Sequence, residues 1–259
     1  MSRYFIHMAY DGTDYCGWQI QPNEKSVQQV VEHALTTILR QEISVTGAGR
    51  TDTGVHASYF IAHFDVEETP GSASASVADP ASGQLVFKIN RLLPPDIVVY
   101  KIHPVSADMH ARFSATWRTY NYHISTIKPL FKRNYSHHVY GPLDVDAIHE
   151  CCKVILETTD FTSFAKLHTD VKTNVCRVMH AHWKEVDQGY MFEIKADRFL
   201  RNMVRSLTGT LLDVGQGKLD VQSFKEIVEA KDRRRAGQSA PAKGLFLVHI
   251  GYANLPWQD

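Results

Sequence analysis

Apolar and polar positions alternate from the second residue on. Tyr4, Ile6, Met8 and Tyr10 fall on one face of RYFIHMAY, which predicts a strand. Turn-forming residues fill DGTDYCGWQIQPN, and then Val27, Val30, Val31, Ala34, Leu35, Ile38 and Leu39 recur at helical spacing. Ser26 and Gln29 stand at the head of that helix in capping-box positions. ISVTGAG and HASYFIAHFDV predict strands on either side of the stretch GRTDTGVHA, residues 49–57, so Asp52 falls in their connection. Residues 67–83 turn to Pro, Gly, Ser and Ala, which predicts an exposed flexible loop. LVFKINRLL predicts a short helix stopped by Pro94 and Pro95, and DIVVYKIH a strand.

The second half uses the same alternation. WRTYNYHI predicts a strand with Arg118, Tyr120, Tyr122 and Ile124 on one face, and residues 144–157 a helix. VCRVMHAHWKEV and YMFEIKA predict a hairpin around Asp187, Gln188 and Gly189. A longer helix is expected from Phe199 to about Val214, a shorter one near residues 224–230, and a closing strand over LFLVHIGY. Strands mixed with single helices predict an α+β fold of two similar halves, 1–105 and 106–259. Each half would be mixed, largely antiparallel sheet with helices packed on it.

Composition narrows the function. With 44% hydrophobic and 22% charged residues in 259, a sizeable core is expected. MSRYFIHMAY lacks the basic and apolar regions of a secretory signal, and no apolar run reaches membrane-spanning length, so the expectation is a cytoplasmic protein with no membrane partner. Cys16, Cys151, Cys152 and Cys176 lack CxxC spacing and read as reduced filler. Net charge is +0, which argues mildly against a nucleic-acid partner.

The average hides a local bias. Between Lys101 and Tyr140, Lys101, Arg112, Arg118, Lys128, Lys132 and Arg133 are balanced by Asp108 alone. Phe113, Trp117, Tyr120, Tyr122, Phe131, Tyr135 and Tyr140 are interleaved with them. Cations for phosphates and rings for bases are how unpaired RNA is held. A second basic group, Lys231 with Arg233, Arg234 and Arg235, reads as a solvated helix end. In the helix expected from Phe199, Arg201 and Arg205 stand four apart in a basic row with Arg198 ahead of it, where cations oppose the helix dipole and call for an anion.

Asp52 is the candidate reactive carboxylate. Burial alone would raise its pKa and a guanidinium would reverse that, which favours a nucleophile or base over a proton-sharing acid. D-T-G is also the aspartic protease signature, but that chemistry needs two carboxylates and the chain has one such motif. A catalytically silent RNA-binding module is the other alternative. No P-loop, G-x-G-x-x-G or H-E-x-x-H is present, and His180 and His182 share a strand face without a third ligand nearby in sequence, so neither cofactor nor metal is expected.

Five segments in order resemble the TruA family of tRNA pseudouridine synthases over nearly the whole chain: YDGTDYCGWQ, GRTDTGVHA, HARFSATWRTYNY, FLRNMVRSLTGTLLDVG and APAKGLFL. The resemblance implies the pseudouridine synthase fold, with an active-site cleft between the halves. It implies that Asp52 is the catalytic aspartate, attacking the nucleotide while the bond from C1′ to N1 breaks and one from C1′ to C5 forms. Addition to C1′, addition to the base and removal of a ribose proton all stay open. Arg205 matches the basic residue paired with that aspartate, Tyr120 the tyrosine that stacks on the target base, and Arg50 the arginine that displaces it. Leu245 would line the uracil pocket, and Arg112 and Arg201 would bind substrate. Family substrates are uridines 38, 39 and 40 of the tRNA anticodon stem-loop, modified by homodimers without a cofactor.

Overall fold

The computed structural model describes residues 1–67, 83–166, 172–253 and 255. The Pro/Gly/Ser/Ala stretch expected to be a loop lies, except for Glu67 and Gly83, outside the described residues. Nine strands and five α-helices are present among those described, so the chain is α+β as expected. The chain divides into two compact units, Met1–Thr116 with Leu247–Asp259, and Trp117–Phe246.

In the first unit β1 (Ser2–Tyr10) lies between β3 (His56–Val66) and β4 (Ile97–Val105), antiparallel to both. The short β2 (Thr46–Gly47) pairs with β3, and β9 (Leu245–Tyr252) continues the order β4–β1–β3–β9. Ile6, Met8, Phe60, Phe64, Val99 and Ile102 are buried, as are Val27, Val31 and Leu35 of α1 (Val27–Leu39) and Leu85 and Ile89 of α2 (Gly83–Leu92). The Ser26 side chain accepts the Gln29 amide at the start of α1, a cap contributing about 1 kcal/mol. Asn90 pins α2 to the outer strand, donating to the Val99 carbonyl at 2.7 Å and accepting the Val99 amide at 2.8 Å.

Only Thr46–Gly47 of the expected strand ISVTGAG pairs as a strand. The Val45 amide is taken by the Glu32 carboxylate at 2.8 Å and the Ile43 amide by the Thr36 hydroxyl at 3.1 Å. Side chains of α1 have claimed donors that a strand would use in its ladder.

In the second unit β8 (Gly189–Ala196) lies between β5 (Ala115–Ser125) and β7 (Val178–Val186), antiparallel to both. The expected hairpin forms, with Gln188 at φ 64 in its turn. β6 (His137–His138) runs parallel to β5. Against β7 packs α3 (Val145–Glu157), capped by Asp144, and α4 (Met203–Gly215) and α5 (Val221–Ala230) pack with α3.

The long helix begins at Met203, four residues later than Phe199. Asn202 sits at φ 67, a left-handed conformation that a right-handed helix does not pass through and that asparagine tolerates better than most residues. Its side chain is engaged elsewhere, donating to Ser239 Oγ at 2.7 Å. Arg198 and Arg201 therefore lie outside the helix and the expected basic row does not form.

A histidine secures the end of the first unit's sheet. His63 is 6% exposed and its Nδ1 accepts the Ala111 amide at 3.2 Å, while the Tyr252 hydroxyl donates to the Ala111 carbonyl at 2.6 Å. Burial, with Arg3 and His110 nearby, pushes the His63 pKa down to about 4. The unfolded chain, with a histidine pKa near ~6.5, then binds more protons than the fold between those values. This contribution is full above about pH 6.5 and is lost as pH falls toward 4. Urea unfolding followed at pH 7 and pH 5 is expected to show lower stability at pH 5, with His63→Gln shrinking that difference.

Candidate active site

The loop carrying Asp52 is fastened to the segment between β1 and α1. Tyr10 and Thr51 share a hydroxyl hydrogen bond of 2.9 Å, and both residues are buried. The Thr51 carbonyl accepts the Trp18 amide at 3.3 Å, and the Thr53 hydroxyl donates to the Cys16 carbonyl at 3.1 Å. The Gly54 amide donates to the Tyr15 carbonyl at 3.3 Å and the Val55 amide to the Asp52 carbonyl at 3.1 Å. Thr51, Thr53, Gly54 and Val55 thus each make a hydrogen bond that fastens or closes the turn, leaving Asp52 half-buried within it.

Glycines make that approach possible. Gly54 has φ 76 and Gly17 φ 102, both in the left-handed region. A Cβ on Gly12 would collide with the Val55 carbonyl, and one on Gly17 with the Thr51 carbonyl. Beneath them His56 Nδ1 stands 3.0 Å from Asp11 Oδ1 and accepts the Gly12 amide at 3.1 Å. The Tyr15 hydroxyl donates to Asp96 at 2.6 Å, and that ring lies 4.6 Å from Lys25 Nζ. Asp11, Gly12, Tyr15 and Gly17 stand in the segment YDGTDYCGWQ and His56 in GRTDTGVHA, but none was expected to have a role of its own. Their signal was the glycine spacing of DGTDYCG, which leaves room for a second backbone.

Arg50 is exposed two residues before Asp52. Arg112 is exposed in the same unit, its guanidinium 5.7 Å from the Phe113 ring, and the His110 ring accepts the Arg112 and Phe113 amides at 3.1 and 3.2 Å.

The second unit holds the other candidates. Arg205 is the third residue of α4, where a cation opposes the dipole, and its Nε donates to the Ala240 carbonyl at 2.8 Å. In return the Ala240 amide donates to the Arg205 carbonyl at 2.9 Å. Gly209, one turn on, leaves no space for a Cβ beside the Gln238 carbonyl, and the Gly237 amide donates to Thr210 Oγ1 at 3.0 Å. Segment 237–240 is therefore laid along α4, which fixes the path of the chain into β9. Arg233, read as one of a solvated group, instead donates to the Ala236 and Gly237 carbonyls at 3.3 and 3.2 Å and to Ser239 Oγ at 2.9 Å. The rest of that group is exposed and paired: Lys231 with Asp160, Arg234 with Asp232, Arg235 with Glu226.

Tyr120 is half-buried on β5, opposite Ile194, its ring edge-on to Phe199 at 5.0 Å. Two residues on, Tyr122 is fully buried and its hydroxyl donates to the Pro241 carbonyl at 2.8 Å. Burial raises the Tyr122 pKa, so it stays a neutral donor. The Tyr122 ring leaves no room for a Cβ on Gly244, which brings Leu245, 6% exposed, in beside it at the head of β9. Arg201 is exposed, and its carbonyl accepts the Lys166 amide at 3.0 Å. Within this unit Tyr120 and Tyr122 stand two residues apart on β5, and the segment from α4 into β9 brings Pro241 and Gly244 against Tyr122, whereas Arg201 stands in the turn before α4.

His180 engages Glu193 at 3.1 Å, and His182 stacks on His149 at 5.8 Å. Among the described residues no group of three or more His, Cys, Asp or Glu side chains is arranged to hold a metal ion. Nor is any described helix long and apolar enough to cross a membrane.

The family profile described as tRNA pseudouridine synthase matches residues 6–114 and 156–253. The chain is 53% identical over 255 residues to tRNA pseudouridine synthase A of Bacteroides thetaiotaomicron, covering 97% of this chain and 91% of that protein. It is 51% identical to the protein of that name from Parabacteroides distasonis, covering 97% and 96%. The Bacillus subtilis protein of the same name is 39% identical, covering 95% and 98%. With two matched stretches that take in the Asp52 loop, α4 and β9, and relatives similar from end to end, the chain belongs to the tRNA pseudouridine synthase A (TruA) family, a family of isomerases.

Proposed function

We propose that this protein isomerises uridine to pseudouridine at positions 38, 39 and 40 of the tRNA anticodon stem-loop, with Asp52 as the nucleophile. The observation that carries the reading is a single carboxylate on a loop tied through the Thr51 and Gly54 backbone and the Thr51 and Thr53 hydroxyls to β1 and the segment before α1. The reaction balances without a co-reactant. The bond from C1′ to N1 breaks, the bond from C1′ to C5 forms, and the proton leaving C5 is matched by one gained at N1.

In this reading Arg205 is the catalytic cation, Tyr120 stacks on the target base and Arg50 displaces that base from its stack, a step any enzyme acting on a stacked base requires. Leu245 offers an apolar wall to the uracil, and Arg112 and Arg201 offer exposed cations to phosphates. The protein works in the cytoplasm as a homodimer and needs no cofactor or metal.

Incubation with an unmodified tRNA transcript, followed by mapping of pseudouridine, tests the reaction and its site. Asp52→Asn is expected to lower the rate by about 10³-fold or more with tRNA affinity and melting temperature unchanged. A variant as active as wild type removes the nucleophile assignment, and wild-type product confined to another arm of the tRNA removes the anticodon assignment.

The loop's geometry makes a second test. Alanine at position 54 would hold a φ of 76, at a cost of roughly 1–2 kcal/mol. Gly54→Ala is expected to lower the melting temperature and to reduce kcat by more than it weakens tRNA binding. A variant melting lower but turning over at the wild-type rate would show that the turn serves stability alone.

A further inference from the structure

The segment between β5 and β6, residues 126–136, is firmly anchored yet presents its largest side chains to solvent. Phe131 is 89% exposed and Leu130 64%, with Ile127 and Tyr135 also exposed, and Tyr140 just beyond β6 is 79% exposed. A chain that only needed to cross from β5 to β6 would bury or omit such groups.

The backbone beneath them is fixed. Ser136, buried, donates its hydroxyl to the Lys132 carbonyl at 3.0 Å, and the Tyr135 amide donates to the same carbonyl at 2.9 Å. The Thr126 amide donates to the Gln188 carbonyl at 3.1 Å and the Val139 amide to the Ser125 carbonyl at 2.9 Å. The Tyr140 ring is held edge-on to His138 at 4.3 Å, and Tyr135 lies 6.4 Å from Phe246. Rings presented on an ordered turn lose little entropy when a partner stacks on them.

Charge names the partner. Lys128, Lys132 and Arg133 are all exposed on the same turn, and from Met109 to Leu143 the chain contains no Asp or Glu. The neighbouring β7–β8 turn adds one carboxylate, Asp187. A second copy docking here through a two-fold axis would set these cations against their own images with no acidic residue in the segment to receive them. A polyanion with stackable faces has no such conflict. Duplex RNA hides its bases, so the matching ligand is unpaired RNA.

We infer that the 126–140 turn is a contact surface for unpaired nucleotides of tRNA, with Phe131 and Tyr140 stacking on bases and Lys128, Lys132 and Arg133 meeting the flanking phosphates. This rests on the reading of the protein as a tRNA enzyme. It adds a second place where the substrate is held, supplied by residues that take no part in the isomerisation.

Two variants test it, Phe131→Ala with Tyr140→Ala, and Lys128→Ala with Lys132→Ala and Arg133→Ala. Each is titrated with an unmodified tRNA transcript between about 50 and 200 mM salt, alongside melting and sedimentation measurements. The ring variant is expected to bind about tenfold more weakly or worse. The charge variant is expected to lower the slope of log affinity against log salt by about 2 to 3. Wild-type affinity and slope in variants that melt normally overturn the inference. So does weakening that tracks loss of a dimer in sedimentation, which assigns the surface to a second copy. Pseudouridine formation by wild type on the same transcript reports separately on the reaction: a protein that binds tRNA through this turn without isomerising it removes the catalytic reading and leaves the surface standing. Wild type that does not bind tRNA removes both.

Discussion

The candidate catalytic loop depends on two backbones lying closer than side chains allow. Residues 12–17 and 51–55 touch main chain to main chain, and the sites where a Cβ would intrude, Gly12 and Gly17, are glycines. That closeness lets the Tyr15 carbonyl reach the Gly54 amide and the Thr51 carbonyl reach the Trp18 amide, so the loop is held by groups that substitution elsewhere in the side chains leaves in place. A nucleophile gains most from such anchoring, because its rate advantage is geometric and a displacement of about 1 Å can cost 10²-fold. The Tyr10–Thr51 hydroxyl pair works the same way, joining the end of β1 to the loop at a buried position where an unmade hydrogen bond would cost about 1–3 kcal/mol.

The second unit solves a similar problem with a helix. Arg205 stands where the dipole of α4 disfavours a cation, and its reciprocal hydrogen bonds with Ala240 offset that cost while fixing the guanidinium's direction. Gly209 admits the same segment one turn further along. The path from α4 to Leu245 is therefore set by three neighbouring contacts, and Tyr122 below supplies a fourth through Pro241. Asn202 and Arg233 meet on Ser239, which ties the turn before α4 to the same segment.

Much of this was legible in the chain wherever one physical signal dominated. HASYFIAHFDV and LFLVHIGY emerge as strands with the bounds their alternation suggests, and Ser26 caps the helix its position marks. The expectations that failed did so where a side chain at long range displaced a local preference. Glu32 and Thr36 took the amides of Val45 and Ile43. Asn202, engaged by Ser239, set the left-handed residue that starts α4 late. Arg233 looked like one charge in a solvated run because three of its neighbours are that, and only the fold turns its guanidinium onto carbonyls. Of the candidate site, Asp52 and Arg205 stood out with roles, while the residues that hold them lay in the quoted segments without one, since hydrogen bonds between distant backbones leave no mark beyond a glycine.

Net charge is the feature that sequence composition describes least well here. A value of +0 conceals a run of 35 residues, 109–143, without a single carboxylate. Neutrality as a whole keeps non-specific attraction to nucleic acid weak, since that attraction grows with the number of phosphates a protein neutralises. Local imbalance then decides where a polyanion can settle, because exposed charges more than about 8–10 Å apart are largely screened at physiological salt and acidic residues beyond that range do not cancel the cations. For an enzyme of tRNA this arrangement favours release of RNA that engages one cationic patch alone, while RNA able to satisfy the phosphate-binding cations and the stacking rings together is retained. Selectivity in such a protein comes from the placement of its charges, and an overall basic excess would erode it.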